Sequence, residues 1–411
     1  MTTFVVTTPS PFSYKTYQTG RKDHNGSLIA DKAIECIRNI EDSGPKILSF
    51  VSSAADNMKI VWTKIHQDHP DVLTFECVIE SLESLFKEIL HQKEVGETLQ
   101  VVKTVVTKLK RSPIAKRKFD EAQLQINDKV RKLHGLSSMT PISYLVCLQS
   151  MLNVQNALRW LAMDDESVQA VGHELSLLVR DVFWTKVDLT LKILFPVIKW
   201  LRRMKDIKPE ISLVAKAFSE IATAFDQLQS SVWQNTVYPV LLEKLLSRKE
   251  LSMHDVHLAA NLLDPRELGA CLSQDQILQA TEFIDGFSEN HGLDSSAVIT
   301  ELSQFRMKSD FYSKPFLWKV TEKIQGAVWW STMAPKSQLA VLAAAILNIY
   351  PATFKMDSNF TTNFFNAHHD SQDNKRIYVS HNLRISTALS VRPASEPAKR
   401  SKLSSDSTES N

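Results

Sequence analysis

The sequence predicts an α/β chain with mostly α content, made of an α/β start, a long helical middle and a mixed end. Three observations give that class. Up to residue 90, short β-branched runs alternate with helical periodicities, in the order strand-strand-helix-strand-helix-strand-helix. After residue 90 the strand patterns vanish, and apolar residues recur at helical spacing to about residue 330. Only 10 of 411 residues are glycine, so tight turns are few.

Each element has a local reason. Thr3 to Thr8 and Phe12 to Thr19 are rich in Thr, Val, Phe and Tyr around a Pro-Ser-Pro break, and read as a hairpin. Ser27 opens an amphipathic helix through Leu28, Ala33, Ile34 and Ile37, which Gly44-Pro45 ends. Lys46 to Ser52 is a buried strand, and Ala55 to Asp68 a helix that stops before Pro70. Val72 to Phe75 is a short strand, followed by a helix carrying Ile79, Leu82, Leu85, Phe86 and Ile89 on one face. Phe183, Val187, Leu191, Leu194, Ile198 and Leu201 mark a long helix in which Pro196 is expected to produce a kink. Pro335 stands where a further helix can begin, lined by Leu339, Leu342, Ala343 and Ile346. From Ser386 the chain is rich in Ser, Pro and charge, with too little apolar surface to fold.

Composition narrows the function classes. Hydrophobic residues make up 43% and charged residues 23%, as in ordinary globular proteins. The formal net charge is +2, so nucleic-acid contact has to rest on local patches. Cys36, Cys77, Cys147 and Cys271 are widely spaced, which argues for reduced, buried thiols and against a zinc ribbon or a disulfide framework. The N-terminus lacks a basic region followed by an apolar run, so no signal peptide is expected. No uncharged apolar run of about twenty residues is present, so no membrane partner is expected.

In order, four blocks resemble the hAT family of DNA transposases over roughly residues 3 to 385. Ser52-Ser53-Ala54-Ala55-Asp56-Asn57-Met58 lies over the family's Thr-Asp-Asn-Ala-x-Asn-Met. Phe183-Trp184 followed by Pro196 looks like the helix that opens its insertion domain. Ala259-Ala260-Asn261-Leu262-Leu263-Asp264-Pro265-Arg266 looks like its Ala-x-x-Leu-Asp-Pro-Arg block. Trp329-Trp330 and the helix through Ile346-Leu347 look like its C-terminal dimerisation region, with Tyr378 to Leu383 resembling the closing segment. The resemblance implies an incomplete RNase H-like sheet interrupted by the helical insertion. Residues 1–92 would be the first part of that domain without its first strand, and 93–328 the insertion. Residues 329–385 would close and dimerise it, and 386–411 would be a disordered tail.

The resemblance also implies chemistry that this sequence does not keep. The family uses three carboxylates to hold two divalent metals, one activating a water and one stabilising the leaving oxygen. The first carboxylate would precede Met1. The second falls on Ser53, whose neutral hydroxyl is a poor ligand for a hard cation, and Asp56 lies about one helical turn later. The third, a Glu in a Glu-Arg motif, falls near Asp357, without the Arg. The family's Cys-x-x-His becomes Cys77-Val78-Ile79-Glu80, and its Thr-Arg-Trp becomes Met139-Thr140-Pro141. The expectation is a protein without catalytic residues, Ser53 and Asp357 marking degenerate positions, and without a cofactor or small-molecule substrate. A residual nuclease using Asp56 and Asp357 is the enzymatic alternative, and Mg²⁺ enters only there. A truncated, non-functional gene fragment is a third reading.

Three further features give binding expectations. Residues 103 to 132 carry ten cations against three acids, and Lys108, Lys110, Arg111, Lys116, Arg117 and Lys118 are the expected nucleic-acid contacts, the alternative being a solvated face. Trp329, Trp330, Leu339, Leu342 and Ile346 are the expected homo-oligomer surface, core packing being the plainer reading and both able to hold at once. Lys399, Arg400 and Lys402 in the tail look like a short nuclear import signal, so a nuclear location is expected, with the cytoplasm as the alternative. The pairs His66/His69 and His254/His257 have helical chelate spacing, but no third ligand is near in sequence, so surface or partly buried imidazoles are expected.

Overall fold

The computed structural model describes residues 2–7, 12–17, 25–136, 140–205 and 209–353. Strands β1 (Thr2–Val6) and β2 (Phe12–Tyr17) pair antiparallel, from Thr2 opposite Tyr17 to Val6 opposite Phe12, with an irregularity between Phe4 and Val5. The rings of Phe4 and Tyr17 meet edge to face at 5.9 Å, a cross-strand pair of the kind that stabilises hairpins. This hairpin belongs to one unit of the chain, and the described residues from Asn25 to Thr353 form another.

The larger unit begins with α1 (Gly26–Glu41), β3 (Ser49–Ser52), α2 (Asp56–Asp68), β4 (Leu73–Glu76) and α3 (Val78–His91). The Asn25 side chain accepts from the Ser27 N–H at 3.0 Å and caps α1, one residue ahead of the expected Ser27 start. Gly26 permits close packing of α1 on α2, since a β-carbon there would stand 2.3 Å from the Asn57 carbonyl oxygen. Strands β3 and β4 pair parallel in register, Ser49 with Leu73 through Ser52 with Glu76, with α2 as the connection.

From there the described chain is helical: α4 (Lys93–Arg111), α5 (Pro113–Asn127), α6 (Pro141–Asn153), α7 (Gln155–Leu161), α8 (Asp165–Val171) and α9 (His173–Ser176). Next come α10 (Asp181–Met204), α11 (Leu213–Asp226), α12 (Val237–Ser252), α13 (Asp255–Leu263), α14 (Gln274–Asn290) and α15 (Ser295–Met307). The last three are α16 (Pro315–Trp318), α17 (Gly326–Thr332) and α18 (Gln338–Leu347). The mostly helical content matches the sequence expectation, and the described strands form two sheets of two strands each. α10 is one helix across Pro196. α18 starts at Gln338 rather than at Pro335, because the Ser337 hydroxyl accepts from the Ala340 N–H at 3.1 Å and supplies the cap.

Two apolar cores fill the larger unit. The first gathers α3, α4, α6 and α7 around α10, whose Phe183, Val187, Ile193, Leu194, Val197 and Leu201 are buried. The second joins α13, α14, α15, α17 and α18, and takes Phe75 of β4 as well. Packing runs on across residues 92 and 328, while the expected boundary at 385 lies outside the described residues. α3 and α4 share the first core across residue 92, and Leu317 shares the second with Trp329 across residue 328.

The second core is organised by rings and two indole hydrogen bonds. Phe305 lies 4.7 Å from Trp330 between ring centroids, and Trp329 and Trp330 meet edge to face at 5.2 Å. The Trp330 Nε1–H donates to the Leu263 carbonyl at 2.7 Å and the Trp329 Nε1–H to the Leu317 carbonyl at 2.8 Å, so neither buried indole leaves its donor unmet. Two of the sequence blocks, the Leu-Asp-Pro-Arg run and the Trp pair, therefore meet in one core. Among the described residues, no helix is long and apolar enough to cross a membrane.

Candidate functional site

In a parallel pair both strands end on the same side, which is where side chains for ligand binding collect in α/β sheets. Here β3 delivers Ser52 and Ser53, and β4 delivers Glu76 and Cys77 alongside. The Cys77 N–H donates to the Ser52 carbonyl at 2.8 Å and carries the ladder one residue past the strand. The Ser52 hydroxyl accepts from Trp62 Nε1 at 3.0 Å and donates to the Ser53 carbonyl at 3.1 Å. Ser53 is half-buried. The Asp56 side chain is 98% exposed and pairs with Lys59 at 3.4 Å, so the carboxylate that follows Ser53 points into solvent.

The carboxylate held at this edge is Glu76, which sequence reasoning missed. It is 2% exposed. The Ser252 hydroxyl at the end of α12 donates to its Oε2 at 3.3 Å. Burial pushes its carboxyl above the usual range, opposed by the Ser252 hydrogen bond and the Arg248 charge and reinforced by Glu80. Its place at the last position of β4, beside the strand-end Ser52, was the available signal. Cys77 and Glu80 both contact Thr353. The Thr353 N–H and hydroxyl reach the Cys77 Sγ at 3.2 and 3.3 Å, and that hydroxyl reaches Glu80 Oε1 at 3.4 Å. Burial raises the Cys77 thiol above its ordinary value, which disfavours the nucleophilic thiolate.

Behind the strands, Phe75 stands edge-on to His257, 4.8 Å between centroids. His257 is fully buried, contrary to the expectation of a surface or partly buried imidazole, because α13 turns it toward Phe75 in the second core. Its Nδ1 accepts from the His254 N–H at 3.1 Å, which leaves the proton on Nε2. Burial, with the nearby His254, pulls its pKa down to about 3. Among the described residues, no group of three His, Cys, Asp or Glu is placed to hold a metal ion. Asp357 lies outside the described residues, as do Met139, the Tyr378 to Leu383 block and the tail cations Lys399, Arg400 and Lys402.

The expected nucleic-acid contacts fall into two groups. Lys118 bridges Asp164 at 2.8 Å and Glu166 at 2.5 Å and is 18% exposed, a clamp between α5 and the start of α8. Those two hydrogen bonds raise the Lys118 pKa. The Lys118 hydrogen bond, with those from Ser167, lowers Asp164 to about 2. Lys108 pairs with Glu174 at 3.2 Å, Lys116 with Asp120, and Arg117 with Glu121 at 3.7 Å. Lys110 and Arg111 are exposed and have no ion pair among the described residues.

The expected association residues lie inside the chain's own core. Trp329, Trp330, Leu339, Leu342 and Ile346 each expose 2% or less, so their side chains fill the second core instead of forming an outer face.

The Leu-Asp-Pro-Arg block forms a buried polar lock. Asp264 is fully buried, and its carboxylate accepts from the Ser212 hydroxyl at 2.6 Å and from Arg266 Nε at 2.9 Å and Nη2 at 2.6 Å. Arg266 also pairs with Glu210, and Asn261 Nδ2 donates to the Ser212 carbonyl at 2.8 Å. Gly326 of α17 sits against this carboxylate, where a β-carbon would stand 3.2 Å from Asp264 Oδ2. The lock thus ties the start of α11 to α13 and leaves a tight fit for a β-carbon at position 326 of α17. No family model matches this chain, and no curated protein matches it.

Proposed function

We propose that the chain is a transposase-derived protein of hAT type that has an RNase H-like architecture and does not cleave DNA. It acts by contacting nucleic acid and by self-association, in the nucleus, to which Lys399, Arg400 and Lys402 direct it. The observation that carries this reading is the strand-end geometry. The β3 end presents Ser53, the next carboxylate, Asp56, is turned to solvent, and the neighbouring Glu76 is buried against Ser252. Two hard cations need several converging carboxylate oxygens, and among the described residues no group of three His, Cys, Asp or Glu converges to hold one. The resemblance of the blocks supplies the family, and the meeting of the Leu-Asp-Pro-Arg and Trp-Trp blocks in one core supports reading them as parts of one framework.

The test is a cleavage assay on duplex and hairpin DNA with Mg²⁺ or Mn²⁺. No metal-dependent product is expected. Cutting that disappears in Asp357→Ala would overturn the reading and establish the nuclease. Self-association is measured by light scattering on the purified chain, and a monomer at micromolar concentration removes that part of the proposal.

A further inference from the structure

The cation-rich segment from residue 103 to residue 132 is not uniform, and its division has a functional consequence. Lys108, Lys116, Arg117 and Lys118 are each opposed by a carboxylate of the same chain. Lys103, Lys110, Arg111, Lys129, Arg131 and Lys132 are all exposed, and none has an ion pair among the described residues.

The fold gathers the unopposed set. Lys110 and Arg111 are exposed in the last turn of α4, and Lys103 is exposed about two turns earlier. α5 ends at Asp128, whose left-handed backbone (φ 56°) reverses the chain. The segment that follows is then fixed at four points. The Arg131 N–H donates to Gln123 Oε1 at 2.8 Å, Leu133 is buried in the first core, and the His134 N–H donates to the Ser150 hydroxyl at 3.0 Å. Gly135 closes on α4, where a β-carbon would stand 3.4 Å from Lys110 Nζ. The cations of the α4 end and those of the 129–132 segment are therefore parts of one anchored surface.

Fold stability does not account for this arrangement. The α4 dipole favours Lys110 and Arg111 in its last turn, but Lys129, Arg131 and Lys132 follow α5 in non-helical backbone. The backbone of Arg131, not its guanidinium, makes the tethering hydrogen bond. Asp128 is the one acid within the 129–132 turn and its entry.

We infer that Lys103, Lys110, Arg111, Lys129, Arg131 and Lys132 form a docking surface for the phosphate backbone of a nucleic-acid duplex, with Lys108, Lys116, Arg117 and Lys118 serving the fold instead. The inference rests on the nucleic-acid part of the proposed function and reassigns its contacts. Six unopposed cations on an anchored surface complement a line of phosphates and release counterions from it. A duplex fits better than a single strand, because Phe119, the aromatic of the segment, is buried and offers no platform for a base. DNA and RNA duplexes share the phosphate chemistry, and parallel titrations with each assign the source.

The experiment is fluorescence anisotropy of the full chain with a labelled mixed-sequence duplex across a salt series. Wild type is expected to bind with a steep salt dependence. The triple variant Lys110→Ala, Arg111→Ala, Lys132→Ala is expected to lose roughly tenfold or more in affinity at low salt, and its log–log salt slope to shrink by about 0.9 per lost phosphate contact. Lys116→Ala with Arg117→Ala, two exposed intrachain pairs, is expected to keep the wild-type slope. Circular dichroism on each variant establishes that the fold is retained. If the Lys116/Arg117 variant loses binding and the triple variant does not, this surface is refuted while nucleic-acid contact stands. If folded wild type binds neither duplex at low salt, both the surface and the nucleic-acid part of the proposed function fall.

Discussion

Replacing Asp264 with alanine removes the centre of the lock that joins α11 to α13, and the structure allows the cost to be worked out. The carboxylate is fully buried and accepts the Ser212 hydroxyl, the Arg266 N–H and two guanidinium N–H groups of Arg266. Its loss leaves the Arg266 guanidinium, only 14% exposed, with Glu210 as its remaining partner. Breaking a buried pair from one side typically costs about 3–5 kcal/mol, because the surviving charge keeps its desolvation penalty and loses its counter-charge. The stranded Ser212 hydroxyl adds about 1–3 kcal/mol if water cannot reach it. A net destabilisation of about 4–8 kcal/mol follows from the two together. The measurement is urea unfolding monitored by tryptophan fluorescence. Trp330 is a local reporter, since its indole bonds the carbonyl of Leu263, next to Asp264. The double variant Asp264→Ala, Arg266→Ala should be less destabilised than the sum of the single variants, since removing both charges leaves neither stranded. A loss below about 1 kcal/mol, the range of exposed ion pairs, would refute the reasoning and mean that solvent reaches the cluster.

Two further outcomes follow from the cores. His257 is held neutral in the folded chain, with its pKa depressed to about 3, so the unfolded chain binds the extra proton first. Its stabilising contribution is complete above the unfolded value near 6.5 and drains away as pH falls toward about 3. The raised carboxyl of Glu76 acts oppositely, since the fold is relieved when that group takes up its proton on acidification. Urea midpoints measured against pH should fall on the acid side of about 6.5 and fall less steeply in His257→Leu; an unchanged slope in that variant would assign the acid loss to other groups. Trp329→Ala should cost about 3–5 kcal/mol of unfolding free energy, and Leu342→Ala about 2–5 kcal/mol, because both fill the chain's own core. Sedimentation of the folded variants checks the assignment, since a change of oligomeric state without loss of stability would return these residues to an interface.

The helices and strands before residue 92 were legible because they obey local rules that the rest of the chain does not override. The β3–α2–β4 unit lies within a residue or two of the expected limits at most ends, each set by a proline or by a change of apolar period. The true start of α18 was less legible, because a proline at position 335 and a serine at position 337 both signal a helix start, and the serine hydroxyl satisfies the Ala340 N–H that the proline cannot. The division of the basic segment was illegible for a different reason. Lys118 meets Asp164 and Lys108 meets Glu174 only after α8 and α9 return the chain to α5 and α4. The burial of His257 has the same origin, since Phe75, which meets it, comes from a strand far away in sequence.

The residues that make the sequence look like a transposase are, in the main, residues that the fold requires for itself. Asp264 and Arg266 close a buried charge cluster, Asn261 holds the Ser212 carbonyl, and Trp330 satisfies the Leu263 carbonyl in between. A chain keeping this core keeps that signature whether or not it cuts DNA, so the Leu-Asp-Pro-Arg and Trp-Trp blocks carry information about architecture and none about catalysis. The strand end is different. Among the described residues no hydrogen bond holds the Ser53 side chain, which is half-buried beside a solvent-facing Asp56. A carboxylate there is expected to be tolerated by the same framework. Ser53→Asp is therefore expected to leave the urea midpoint within about 0.5 kcal/mol of wild type, as a substitution outside the core should. A loss of several kcal/mol would show that the serine serves the fold, and would remove the strand end as an argument about cleavage.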